Sequence, residues 1–128
     1  MDNRRTFSKT ERISFQREID RLFKQGETFI SYPLRIVYLE ENPFSGATVS
    51  VLISVSKRKF KRAVKRNRIK RLVREAYRLN KTPLIQHLQE KESGLLIAFI
   101  FIGNTLCEWR EIEAAVQKAL NTLREKTE

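Results

Sequence analysis

The chain is poor in the residues that build metal centres, disulfide scaffolds and membrane spans. It has one cysteine, Cys107, and one histidine, His87, in 128 residues. A lone cysteine excludes an intramolecular disulfide and a cysteine cluster for zinc. With a single histidine, a metalloenzyme or a Ser-His or Cys-His nucleophile pair has little to draw on. The acids are scattered over predicted helix surfaces, which argues against a paired-carboxylate active site. Four glycines and three prolines leave no linker of useful length, so one compact domain over residues 1–128 is expected, with about residues 1–10 loosely ordered. The longest apolar run, residues 95–102, falls far short of the roughly 20 residues that cross a bilayer. The first eleven residues are polar and hold no signal-peptide core. A soluble, cytoplasmic protein with no membrane partner is therefore expected.

What the chain has is charge of one sign in one place. Twelve of the 26 basic residues fall between positions 57 and 78, a window with a single acid, Glu75. That window carries the entire net charge of +11, because the remaining residues hold 14 basic and 14 acidic side chains. Clustered Lys and Arg on an otherwise neutral domain mark a polyanion binder, since they displace condensed counterions from phosphates.

The apolar spacing places this window within an α+β fold. From Ser14, a predicted N-cap, Phe15, Ile19, Leu22 and Phe23 share one face of a helix ending at Gln25-Gly26. Residues 28–30 and 34–39 read as strands. The turn Glu41-Asn42-Pro43-Phe44-Ser45-Gly46 then suggests a hairpin to a strand over 48–56, where Val49, Val51, Ile53 and Val55 alternate with polar positions. A helix over about 62–79 would bury Ile69, Leu72, Ala76 and Leu79 beside the stem of Lys65 and present Asn67, Arg71, Arg74 and Arg78 on nearly the opposite side. Thr82-Pro83 reads as an N-cap with Pro at the first position of a brief helix. Residues 95–102 suit a strand covered on both faces, and Thr105 with Glu108 forms a capping-box pattern before a last helix anchored by Trp109. The fold class is a single-domain α/β sandwich, with a mostly antiparallel sheet of about four strands packed by helices.

Arginines and lysines alone give salt-sensitive attachment that does not read sequence. Asn67, between Arg66 and Arg68, adds an amide able to hold those arginines or to donate to a phosphate or a 2′-hydroxyl. The plain alternative is a solvated helix face. An anionic membrane or a calmodulin-like partner would need a large apolar face that the core already claims. A DNA-reading helix-turn-helix is weakened by the strands that precede the basic helix. Tyr32 and Tyr38 are either strand residues or stacking surfaces. Phe23 suits either the core or a nucleic-acid contact.

The run Val55-Ser56-Lys57-Arg58, followed by Ala63-Val64-Lys65-Arg66-Asn67-Arg68-Ile69-Lys70-Arg71-Leu72-Val73-Arg74-Glu75-Ala76-Tyr77-Arg78, resembles the signature of the protein subunit of bacterial ribonuclease P. The similarity extends from about Lys9 to Leu123, with Arg12-Ile13 and Phe23-Lys24-Gln25-Gly26 matching further family positions. The resemblance implies a protein that binds ribonuclease P RNA and the 5′ leader of precursor tRNA, in an endoribonuclease whose RNA performs hydrolysis. It implies no catalytic residue in the protein, a holoenzyme that requires Mg2+ bound mainly by RNA, and no obligate protein partner. Lys57, Arg58, Arg66, Asn67, Arg68, Lys70, Arg71 and Arg74 would face the catalytic RNA, while Arg12, Ile19 and Phe23 would meet the leader. It also implies a left-handed β-α-β crossover through the basic helix, against the general right-handed rule. Two departures from the family pattern stand out. Ile19 replaces a usual aromatic, and the loop Lys59-Phe60-Lys61-Arg62 lacks glycine and is one residue longer. The rival readings are a general RNA-binding or ribosome-associated protein using the same helix, and an autonomous nuclease.

Overall fold

The computed structural model describes residues 16–41 and 48–128. The expected Ser14 cap, Phe15, Arg12 and most of the turn at 41–46 lie outside the described residues. In chain order the elements are α1 (Gln16–Gln25), β1 (Glu27–Ser31), β2 (Leu34–Glu41), β3 (Val49–Val55), α2 (Ala63–Asn80), α3 (Thr82–Glu90), β4 (Gly94–Phe101) and α4 (Trp109–Lys126). The sheet order is β1-β2-β4-β3. Antiparallel pairs join β1 to β2 and β2 to β4, and β3 runs parallel to β4.

The hairpin expected between the strands now numbered β2 and β3 does not form, because β4 lies between them. The residues explain the order. Gly94–Phe101 is apolar at nearly every position and buried along almost its whole length, so it needs cover on both faces and partners on both edges. The third strand alternates with Ser50 and Ser54 and suits an edge. The hairpin in the structure is β1-β2, turning at Tyr32-Pro33 and registered Ser31 to Leu34.

The alternation of each strand separates two cores. Leu34, Ile36 and Tyr38 of β2, Val49, Val51 and Val55 of β3, and Leu95, Ile97, Phe99 and Phe101 of β4 pack beneath α2, α3 and α4. Val37, Leu96 and Ala98 point the other way and meet Leu22 of α1, with Ile19, Leu39, Leu52 and Ile100 half-buried around them. The smaller core is covered by α1, described over Gln16–Gln25.

Gly26 sets how closely that helix sits. Its N–H donates to Leu22 O at 2.8 Å. A Cβ there would lie 2.4 Å from Leu22 O and 2.8 Å from Tyr38 O, so only glycine lets the chain leave α1 and enter β1 against the backbone of β2.

Two predicted helix starts shift. Glu108, in extended conformation, occupies the cap of α4 without a side-chain capping bond, so the Thr105–Glu108 capping box does not form. Thr105 instead contributes its carbonyl to the thiol of Cys107 at 3.8 Å. Lys81, rather than Thr82, is the junction residue that closes α2 and opens α3. Lys81 is buried, with its ammonium 5.8 Å from the centre of the Tyr77 ring.

Candidate nucleic-acid interface

The basic helix is held by one stripe. Ile69, Val73, Ala76 and Tyr77 are buried, and the ring of Tyr77 sits 6.1 Å from that of Phe99 in β4. Val73 and Tyr77 thus take places on the seam expected for Leu72 and Leu79, which are half-buried. The cause is that α2 packs against both β3 and α4, so its apolar arc is centred between the two neighbours rather than on one. Of the row that the polar spacing put there, Asn67, Arg71 and Arg74 are exposed, and Arg68, which the resemblance added, is exposed beside them. Lys57 and Arg58 are exposed on the connection entering the helix, and Lys70 is half-buried at the arc's edge.

Arg66 differs from the other arginines of this set. Its Nη1 donates to Phe60 O at 2.7 Å and to Lys61 O at 2.9 Å, so the guanidinium folds back and fixes the loop that leads into α2. The amide of Asn67 carries no hydrogen bond to the flanking arginines among the described residues and stays available to a partner. Arg78, expected on the exposed row, is half-buried and paired with Glu75 through its Nε at 3.0 Å and also through its Nη2. This pairing holds the Glu75 carboxyl below the ordinary carboxylate range through its hydrogen bond to Arg78, against a smaller opposing effect of burial. The only acid of the basic window is thereby neutralised, which leaves the rest of the face positive.

The loop before α2 is built to a fixed shape. Ser56 Oγ accepts from the N–H of Arg58 at 3.1 Å, and the N–H of Phe60 donates to Ser56 O at 3.1 Å. Phe60 is buried against Phe101, with ring centres 5.7 Å apart. Lys59 Nζ donates to Ile102 O at 2.9 Å, tying this loop to the β4-α4 connection. Between the two loops lies an open cleft of about 520 Å³, lined by Lys59, Phe60, Lys61, Arg62 and Lys65 on one side and Asn104, Thr105 and Leu106 on the other. Sequence reasoning marked Lys59-Phe60-Lys61-Arg62 only as an unusual loop and Thr105 only as a helix cap, and did not join them into a site. Nothing in local periodicity places residues 104–106 beside residues 59–65.

A second surface lies on the α1 side of the sheet. Phe23 is 47% exposed and belongs to neither core, whereas Ile19 is half-buried against the smaller one. The cross-strand register sets Ile30, Arg35, Ile100 and Ser54 in one row across β1, β2, β4 and β3. Ile30 and Arg35 are exposed and the other two half-buried, so this row is a strip of sheet that α1 leaves open. Arg35 was missed by sequence reasoning; its position between two apolar strand neighbours on the less covered face was the available signal. Of the two tyrosines singled out, Tyr32 is 68% exposed at the β1-β2 turn. Tyr38 is buried and donates to Glu27 Oε2 at 2.8 Å. Burial, followed by the bond to Glu27, pushes its phenol up to about 12. Burial, with Glu111 nearby, also pushes up the Cys107 thiol, which makes it a poor nucleophile.

The basic face does not fit a magnesium ion. Mg2+ demands oxygen ligands in octahedral order, and the acid available on this helix is engaged by Arg78. No cluster of three or more metal-binding side chains occurs among the described residues. Likewise, no helix among the described residues is long and apolar enough to cross a membrane.

Comparison with known proteins bears on the family and the fold. The sequence profile of the family described as Ribonuclease P matches residues 7–124. The ribonuclease P protein component of Porphyromonas gingivalis is 49% identical over 113 residues, covering 88% of this chain and 82% of that protein. That of Chlorobaculum tepidum is 39% identical over 90 residues, covering 65% of this chain and 58% of that protein. Among solved structures, the RNase P protein of Staphylococcus aureus superposes with a TM-score of 0.69 at 22% identity, over 88% of this chain and 94% of that one. The RNase P protein of Thermotoga maritima gives 0.54 at 25% identity, over 91% of each.

Proposed function

The chain belongs to the ribonuclease P protein family, and from that premise we propose that it joins ribonuclease P RNA through the exposed arc of α2 and holds the precursor tRNA leader on the α1 side of the sheet. Its role is 5′ maturation of tRNA as the protein component of an endoribonuclease, with hydrolysis assigned to the RNA. The observation that carries the reading is the segregated charge: Asn67, Arg68, Arg71 and Arg74 form one exposed face, preceded by Lys57 and Arg58, on a helix whose other side is locked into the core. Lys70 lies at the rim of that face and Arg66 shapes its approach.

The leader surface is supported by the half-covered sheet. Phe23 offers an exposed aromatic face, on which a base stacks for about 1–3 kcal/mol. Arg35 offers a cation beside the apolar Ile30 and Ile100. Ile19, where the family has an aromatic, supports the small core more than the open strip. Magnesium belongs to the holoenzyme's RNA phosphates. The +11 charge of the protein lowers the cation concentration needed to bring two RNAs together.

The test is cleavage of precursor tRNA at low magnesium by this protein, by a bacterial ribonuclease P RNA, and by the two mixed. Correct 5′ cleavage only in the mixture is the expected result. Absence of stimulation favours a general RNA-binding protein, and cleavage by the protein alone overturns the assignment of chemistry to RNA.

A further inference from the structure

The cleft between the loop entering α2 and the β4-α4 connection differs in kind from the helix face beside it. A helix face meets phosphates on the outside of a folded RNA. This cleft is concave, and at about 520 Å³ it lies within the size range of small-ligand sites. Lys61, Arg62 and Lys65 are exposed along one wall. No acid is among the lining residues. The opposite wall carries Leu106, a large apolar side chain left 40% exposed, and Phe60 closes the floor.

The two sides of the cleft are also joined and shaped by hydrogen bonds within the protein. Lys59 Nζ ties its two sides together through Ile102 O at 2.9 Å. Arg66 holds the carbonyls of Phe60 and Lys61 from beneath the loop. Two cationic side chains are thus committed to shape, and three remain for a ligand.

We propose that this cleft receives a single unpaired nucleotide of the catalytic RNA, with its phosphate against Lys61, Arg62 and Lys65 and its base against Leu106. The inference rests on the α2 face being the RNA-binding face, because it places the nucleotide at that helix's first turn. Duplex RNA is a poor occupant, since its bases are stacked inward and only its outer phosphates reach a protein wall. An everted nucleotide presents an anion and a flat apolar face together, which matches the two walls. The longer, glycine-free loop at Lys59-Phe60-Lys61-Arg62 is what builds the cationic wall in this chain.

The test is the affinity of the full-length protein for a bacterial ribonuclease P RNA across a salt series, with Leu106→Ala, Leu106→Tyr, Lys65→Ala and Arg71→Ala. Leu106→Ala should weaken binding about 5-fold with an unchanged salt slope, because an apolar contact releases no counterion. Leu106→Tyr should tighten it several-fold, since an aromatic ring stacks on a base where an alkyl group only packs. Lys65→Ala should reduce the slope by about one. Far-UV circular dichroism and melting should match the parent for both Leu106 variants. Parental affinity in both Leu106 variants, with Arg71→Ala weakened, overturns the nucleotide site and leaves the α2 reading standing. Parental affinity in Arg71→Ala as well overturns that reading and this proposal together. In a parallel series with precursor tRNA replacing the catalytic RNA, the Leu106 variants should bind like the parent; an effect confined to that series overturns the assignment to the catalytic RNA.

Discussion

Arg66 and Arg71 belong to one charged helix, yet their side chains are used differently, and truncating each should separate assembly from stability. Arg71 is exposed, and its side chain makes no hydrogen bond among the described residues. Arg71→Ala should leave the unfolding free energy within about 0.5 kcal/mol of the parent, as for surface substitutions generally. It should weaken binding to the catalytic RNA about 5- to 10-fold near 0.1 M salt, the loss of about 1 to 1.4 kcal/mol for one exposed charge-assisted contact. Loss of one phosphate contact lowers the slope of log affinity against log salt by about 0.9, so the deficit should shrink about 8-fold over one decade of salt. Arg66 donates to two loop carbonyls at 2.7 and 2.9 Å. Such bonds from a charged donor contribute about 1.5–3 kcal/mol each when buried; half-exposure reduces the pair to about 1 kcal/mol together. Arg66→Ala should therefore lower the melting temperature by about 3–5 °C in a domain of this size. Its loss of RNA affinity should persist at high salt, because the loop and not only a charge is altered. Fluorescence anisotropy with labelled RNA and thermal circular dichroism provide both readings. Equal melting temperatures and equal salt slopes for the two variants would refute this division of roles.

Gly26→Ala should destabilise the fold by about 1–3 kcal/mol, because the new Cβ meets two backbone oxygens at 2.4 and 2.8 Å; an unchanged urea midpoint would count against the close approach of α1 to β2. Tyr38→Phe should cost about 1 kcal/mol at neutral pH through loss of the bond to Glu27. The folded phenol lies near 12, above its ordinary 10.0, so its contribution is complete below about pH 10 and is lost as the pH rises towards 12. Absorbance titration should show a late tyrosine step in the parent that disappears in the variant. Phe23→Ala and Arg71→Ala lie on helices at opposite faces of the sheet. Their effects on precursor cleavage should add within about 0.5 kcal/mol, and a larger coupling in the double variant would mean that the two surfaces do not act independently.

The secondary elements were largely legible because each carries its own period. The strand alternation at Val49, Val51 and Val55 and the continuous apolar run of β4 both survive in the fold. What local pattern did not carry was adjacency. The turn residues after Glu41 suggested a β2-β3 hairpin, whereas pairing is decided by which strand has the most apolar surface to cover, and β4 took the centre. The same limit applied to the site. Asn67, Arg71 and Arg74 could be read from helical spacing, since a single helix displays them, while Arg68 came from the family resemblance. The Leu106 cleft could not, because its two walls are separated by the whole α2-α3-β4 crossover and meet only after the parallel pair forms. Arg66 was read by its charge, and only the loop geometry reveals that its fork is turned inward.

The unequal covering of the sheet connects this fold to two different kinds of RNA contact. On one face, three helices close the core, so the buried stripe of α2 sets which side of it the guanidinium row occupies. A row held on one side suits a folded RNA, whose phosphates are themselves fixed and gain affinity only if the spacing matches. On the other face, among the described residues, α1 covers Val37, Leu96 and Ala98, and Ile30 and Arg35 stay exposed. A single-stranded leader has no fixed spacing to match, and what holds it is a strip where bases find apolar or aromatic faces and a backbone finds a cation. Adding apolar cover on that side would stabilise the domain while removing the strip. The close seat of α1, which Gly26 allows against the backbone of β2, is therefore the feature that keeps the smaller core closed beside the exposed strip.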